Sequence, residues 1–276
     1  MQIGLSVDKY KGIEPSILLG LARKFGLTHV EITRSVFEDL VRVKKQIKTL
    51  TAGFHLPVLE LDKFDFSCLQ CQDKIDDLIA QINSNWRELN IHYCVAHPPE
   101  PKAIDVEVET SMPFLLDNLA KLQPPIVLEN VPTWGKREFD IMYREAKEKL
   151  GDKLLGLCFD AAHCYLSGED IDAWFSELNG EVKCIHLSDC GPSEDLHLPF
   201  DSGGILPIAN FLKKLRSLKY RETINLELMP QSLQDLEPIL NSYLKVLRHF
   251  NKSKYLTTKV KMLFLMPVLR LLLPED

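Results

Sequence analysis

The sequence predicts a single α/β domain folded as a (β/α)8 barrel, and three observations carry that expectation. Eight short β-rich runs recur along the chain, longer amphipathic stretches separate them, and the runs are apolar throughout. Strands apolar on both faces belong to a parallel sheet covered by helices. Eight such β–α units in about 250 residues fit a closed TIM barrel. A doubly wound open sheet is the runner-up. No Gly-rich phosphate loop follows the first run, which counts against a dinucleotide fold.

The first run, QIGLSV (2–7), reads as a strand from the second residue. No secretory signal is therefore expected ahead of it, and a reducing cytoplasm is the simplest setting. A helix-like stretch over 14–25 leads to THVEIT (28–33), and a second over 36–48 leads to LTAGFH (50–55). The pattern continues with a helix over 71–88, the strand IHYCVAH (91–97), a helix over 109–121 and the strand PIVLEN (125–130). A helix over 137–149 precedes LLGLCFD (154–160), which passes into a polar helix start. VKCIHLSD (182–189), a helix over 205–217, TINLEL (223–228) and a helix near 234–249 complete the set. No Pro/Gly/Ser linker or low-complexity segment interrupts residues 1–251, so they are read as one domain.

Residues 252–276 form a tail with an apolar run from Met262 to Leu273. The run is short of the ~20 residues that span a bilayer, and Pro267 and Arg270 interrupt it. The expectation is a terminal helix docked on the body or on a second subunit, with a homodimer plausible. A membrane-surface helix is the minor alternative.

Bulk composition bounds the partners. The formal net charge is −6 and the pI about 5.8, which gives no reason to expect tight non-specific nucleic-acid binding. A nucleic-acid enzyme is still allowed, because bound metal adds local positive charge. Hydrophobic residues make up 45% of the chain, enough for a sizeable core. The seven cysteines are odd in number, and the one C-x-x-C, Cys68 and Cys71, is read as a pair of incidental thiols.

The strand ends carry the chemistry, since barrel sites lie at the C-terminal rim. Consecutive strands deliver His55, His97, Glu129, Asp160, His186 and Glu227 at or near their ends. The following loops add His163, Asp195 and His197, so five of the eight histidines fall at these positions. One histidine at a strand end is most simply a hydrogen-bonded structural residue, and one acid there caps the next helix. That explanation must hold nine times over, and crowded uncompensated carboxylates and imidazoles are costly to bury. A divalent cation removes the cost. The imidazole and carboxylate mixture suits Zn²⁺, Mn²⁺, Fe²⁺ or Co²⁺. His29, His92 and His249 lie elsewhere and are read as structural. Cys158 and Cys184 should face inward one layer below Asp160 and His186, as barrel packing.

The motifs GFHLP, VAHPP, VLENVP, CFDAAHCYLSGED, IHLSDC, DLHLPFDSGG and LELMP occur in that order. Together they resemble the xylose isomerase-like TIM barrels, the superfamily joining sugar isomerases and epimerases with endonuclease IV. The likeness runs to about Asn251 and leaves the tail outside. It implies a core metal site of Glu129, Asp160, His186 and Glu227. The endonuclease IV branch implies more: His55 and His97 completing a metal with Glu129, and His163, Asp195 and His197 holding another, for one to three ions. Departures from that branch are HPPEP after the second histidine and Val58 in place of a DNA-contacting tyrosine, and DSGG stands where many relatives of both branches have Gly-Glu-Gly. The VEI of the second strand, around Glu31, looks like the sugar isomerase branch.

Two activities follow as expectations. The first is a metal-dependent isomerase or epimerase of a sugar or sugar phosphate, with Glu129 and Glu227 exchanging a carbon-bound proton. The alternative is metal-dependent phosphodiester hydrolysis at abasic-site DNA. A metal-binding scaffold without activity is the third reading, disfavoured by the intact inward-facing carboxylates.

Overall fold

The computed structural model describes residues 1–10, 13–100, 108–178, 180–229 and 235–272. Eight parallel strands close in sequence order: β1 (Gln2–Val7), β2 (His29–Ile32), β3 (Thr51–His55), β4 (Ile91–Ala96), β5 (Ile126–Glu129), β6 (Leu154–Asp160), β7 (Val182–His186) and β8 (Thr223–Leu226). β8 returns to β1, so no open edge remains. All eight predicted runs are strands, trimmed at their ends: His97 and Glu227 lie just past β4 and β8, and β7 stops at His186.

The connections place helices outside. They are α1 (Pro15–Phe25), α2 (Leu40–Ile47), the short α3 (Leu59–Asp62), α4 (Gln72–Asn85), α5 (Met112–Ala120), α6 (Lys136–Leu150), α7 (Ala161–Leu166), α8 (Ile171–Leu178), α9 (Ile208–Ser217), α10 (Leu236–Phe250) and α11 (Lys252–Leu272). The expected helix over 36–48 begins as a 3-10 turn, Arg34–Asp39, and the one near 234–249 is described from Leu236. The start of that last stretch, and residues 273–276 of the tail, lie outside the described residues. The sequence pattern showed only a polar start after β6. Two short helices stand there, α7 capped by Asp160 and α8 opened by Asp170, whose Oδ1 accepts from Ala173 N at 2.7 Å.

Strand alternation sorts β6. Phe159 points outward, its ring 5.9 Å from Trp174 and 5.2 Å from Phe175 of α8, centroid to centroid. Edge-to-face packing of this kind anchors the strand against its helix. Cys158 points inward into a small cluster with Tyr93, Val95, Val127 and Cys184. This cluster is the floor of the rim, where both cysteines are packed as expected, their sulfurs also converging with a ring nitrogen of His186. Gly53 makes room for it: a Cβ there would lie 2.6 Å from the Tyr93 ring. The Tyr93 hydroxyl in turn meets His29 Nε2 at 2.9 Å, and His29 Nδ1 meets Thr51 Oγ1 at 2.9 Å. His29 is thus a structural histidine, as read. His92 Nε2 meets Asn90 Oδ1 at 3.1 Å, and burial and neighbouring cations hold His249, on α10, below its ordinary pKa.

Candidate metal centre

Register brings the rim residues level. Asp160 pairs with His186 across β6 and β7, and Glu129 pairs with Cys158 across β5 and β6. Parallel neighbours lie about 4.8 Å apart, so side chains at matched strand ends converge. One donor atom each from Glu129, Asp160, His186 and Glu227 lies within 4.8 Å of the others. The same holds for His55, His97 and Glu129. The set His163, Asp195 and His197 is not such a group among the described residues. Asp195 links it instead, with Oδ2 2.9 Å from His163 Nε2 and 3.4 Å from His197 Nε2.

Glu129 stands at the centre and is fully buried. Its Oε1 accepts from His186 Nδ1 at 3.0 Å and lies 3.4 Å from His163 Nδ1. Its Oε2 faces His55 Nε2 and His97 Nε2, each at 3.3 Å, but off the hydrogen-bond axis. One carboxylate therefore serves both groups. Glu227 approaches from β8, with Oε2 2.9 Å from His186 Nδ1 and likewise misaligned.

The ring nitrogens are sorted by their outer partners. His55 Nδ1 donates to the Leu56 carbonyl at 2.8 Å, and His97 Nδ1 faces Glu100 Oε1 at 3.4 Å. Thr133 Oγ1 holds Glu100 by donating to its Oε2 at 2.9 Å. Each arrangement leaves Nε2 free to face inward. Fixing one nitrogen so that the other presents a lone pair is the usual preparation of a histidine ligand. The Asp160 Oδ1 accepts from His163 N at 2.6 Å, while its buried Oδ2 has no partner. Asn130 sets this corner: Asp160 N donates to Asn130 Oδ1 at 2.8 Å, Asn130 Nδ2 donates to Asp160 O at 2.9 Å, and His163 Nδ1 donates to Asn130 O at 2.8 Å. Buried orphans at His55 Nε2, His97 Nε2, Glu129 Oε2, Asp160 Oδ2 and Glu227 Oε2 are what a divalent cation would satisfy. The donor set fits the metals expected from the sequence.

Electrostatics follow the geometry. Burial opposes charge on His97, but Glu129 and Glu100 outweigh it and raise its pKa to about 9. His163 is raised well above the ordinary range against its burial, chiefly by Asp160 and Asp195. His186 is raised likewise, by the Cys158 sulfur and by Glu129, Glu31 and Glu227. Glu129 is held well below the carboxylate range, because His186 and His97 overcome its burial. Asp160 goes the other way: burial, with Asp195, Glu129 and Glu227 nearby, lifts it to about 7 despite His163.

All nine rim residues were legible in the sequence and Glu31 was marked there without a partner; Asn130 and Glu100 were not singled out. Glu31 is buried on β2, its carboxylate 3.0 Å from His186 Nε2, and Asn225 Nδ2 reaches it at 3.3 Å. The VEI pattern marked it; its partner could only be seen in three dimensions. A cavity of about 730 Å³ opens over the rim, bordered by His55, His97, His163, Asp195, His197 and Glu227. A larger groove of about 910 Å³ lies outside the barrel between α1 and α2, away from these groups.

A closed eight-stranded barrel with carboxylates and imidazoles gathered at its C-terminal rim is a rim-site TIM barrel. The chain belongs to the xylose isomerase-like TIM barrel family, whose family model matches residues 19–250. Solved structures share the fold at low identity. An L-ribulose 3-epimerase has a TM-score of 0.62 at 16% identity, with 96% of this chain and 97% of that chain covered. A 3-keto-D-glucoside 4-epimerase from E. coli has a TM-score of 0.63 at 13% identity, covering 89% and 98%. An AP endonuclease, family 2, from Brucella melitensis has a TM-score of 0.57 at 13% identity, covering 83% and 93%. No curated protein matches the sequence.

Proposed function

We propose that this chain is a divalent-metal-dependent isomerase or epimerase of a sugar or sugar phosphate. The observation that carries the reading is the carboxylate pair, Glu129 and Glu227, placed 3.0 and 2.9 Å from one nitrogen of His186. Glu129, Asp160, His186 and Glu227 would hold the cation, which when bound polarises a carbonyl and its adjacent hydroxyl and acidifies the carbon between them. Glu227 borders the cavity and Glu129 lies just beneath it. One carboxylate takes the carbon-bound proton onto an oxygen, and the other, entering the step as the carboxylic acid, gives its proton to the opposite face. Such general acid–base help contributes about 10²–10⁴-fold. His55, His97 and His197 face the cavity and bind substrate hydroxyls. Glu31 holds the His186 ring in place from behind.

Cavity charge supports a small polyhydroxy substrate over a nucleic-acid backbone. Its described lysine and arginine side chains, Lys9 and Arg34, are tied to Glu38 at 2.7 Å and to Asp62 at 2.5 Å. The second reading, a phosphodiesterase acting on abasic-site DNA, draws on the separate convergence of His55, His97 and Glu129. Incubating the metal-loaded protein with a ketose panel in deuterated water tests the first reading. Deuterium uptake at carbon is the expected result. Cleavage of an abasic-site duplex, lost in Glu129→Gln, would sink the sugar assignment, and silence in both assays would favour an inactive scaffold.

A further inference from the structure

The tail helix α11 has two unlike sides. Met262, Met266 and Thr258 are buried, and Thr258 Oγ1 donates to Phe25 O of α1 at 3.4 Å. The outer side carries Leu256, Val260, Leu263 and Phe264, which are 60%, 51%, 67% and 74% exposed. Their i, i+4, i+7, i+8 spacing makes one continuous stripe along the helix. Lysines border it on both edges: Lys252 and Lys259 on one, Lys254 and Lys261 on the other, from the ~100° turn per residue. Residues 252–267 contain no acid, in a chain of net charge −6. Next to α11, the α1–α2 groove adds Arg23, Lys24, Arg42 and Lys45, of which Arg42 has Asp39 at 3.8 Å.

We infer that this face docks on an anionic membrane surface, with α11 lying in the plane of the bilayer interface. An exposed apolar stripe edged by lysines matches that boundary: the stripe enters among the acyl chains, and the lysine stems reach back to the lipid phosphates. A second copy fits less well, because a two-fold α11–α11 contact would set the lysine rows against each other. No described helix is long and apolar enough to cross a membrane, so the attachment is peripheral. α1 runs back from the rim, and α11 touches Phe25 at its far end. Docking there leaves the cavity facing water.

The test is co-sedimentation of the full chain with vesicles of phosphatidylcholine alone, and with about one-third phosphatidylserine added. Binding should require the anionic lipid and weaken as salt rises. Leu263→Ser with Phe264→Ser, and separately Lys252→Gln with Lys259→Gln, should each weaken it about tenfold or more. These side chains are exposed, so thermal unfolding should not change. Equal binding to neutral vesicles overturns the inference. So does binding that either double variant leaves intact, or a stable dimer in sedimentation velocity without vesicle binding.

Discussion

His55 Nε2 lies 3.3 Å from Glu129 Oε2, off the hydrogen-bond axis, while Nδ1 of the same ring donates to the Leu56 carbonyl. A lone pair and a carboxylate oxygen that face each other need a proton or a cation between them. The same relation recurs at His97, on the same oxygen. The rim is therefore a place where protons and metal compete.

That competition sets the first prediction. His97 is raised to about 9 and Asp160 to about 7, and His55 is raised as well, Glu129 and Glu227 overcoming its burial. In protein stripped of metal His97 is protonated at pH 7 and Asp160 about half so, and a cation must expel those protons. Affinity for Zn²⁺ or Mn²⁺ should rise between pH 6.5 and 8.5, by up to about tenfold per pH unit for each proton released. Calorimetry in buffers of different ionisation enthalpy counts those protons. Affinity flat with pH would show that these groups do not meet the ion.

Asp160 performs two tasks that one substitution can separate. Oδ1 caps α7 by accepting from His163 N, and Oδ2 is free for a cation. Asparagine caps a helix about as well as aspartate but removes the charge. Asp160→Asn should keep the melting temperature of the stripped protein within a few degrees and lower metal occupancy after dialysis at least about tenfold. If occupancy is unchanged, Asp160 is a cap and nothing more.

The barrel was legible because its strands are apolar runs of one length class, each closed by a polar residue. The rim residues were legible for the same reason: a histidine or acid at the end of an apolar strand has one place to point. Glu31 was visible as a residue but not as the partner of His186, since 155 positions separate them and only barrel closure joins them. Asn130 was hidden because it works through backbone groups, which leave no trace in spacing. The helices after β6 escaped the periodicity because α7 has six residues and α8 eight, too few to show a period.

Gly53 should resist enlargement. An added Cβ would lie 2.6 and 2.7 Å from two ring carbons of Tyr93, and that ring is held by hydrogen bonds of its hydroxyl to His29 and the Cys184 sulfur. Overpacking of a buried site costs about 1–3 kcal/mol, or roughly 2–10 °C in a domain of this size. Gly20 is the control, since a Cβ there meets nothing nearer than 3.7 Å and the residue sits in α1. Gly20→Ala should leave stability unchanged or slightly raised. Equal melting temperatures for both variants would mean that the floor yields.

The buried His29 should withdraw its own contribution to stability as pH falls below 6.5. Burial, with His92 and His186 nearby, lowers its pKa from 6.5 to about 3. Released by unfolding, the ring regains a proton near pH 6.5. Between those two values the unfolded chain binds the extra proton, so this contribution falls as pH falls, by about 1.4 kcal/mol per unit. Asp160, raised to about 7 in the fold, has the opposite slope over the same range, so the His29 effect is read as a difference from a variant that keeps Asp160. The raised histidines add nothing below pH 6.5, because their folded pKa values lie above the unfolded ones and their stabilisation is complete there. His29→Gln removes the titration. It should lower stability at pH 7, where the neutral ring makes both its contacts, and the gap to wild type should narrow by about 2 kcal/mol between pH 6.5 and 5. Urea unfolding of the metal-stripped proteins at each pH measures that gap. A gap constant with pH would mean that the ring is protonated inside the barrel and that Thr51 and Tyr93 both accept from it.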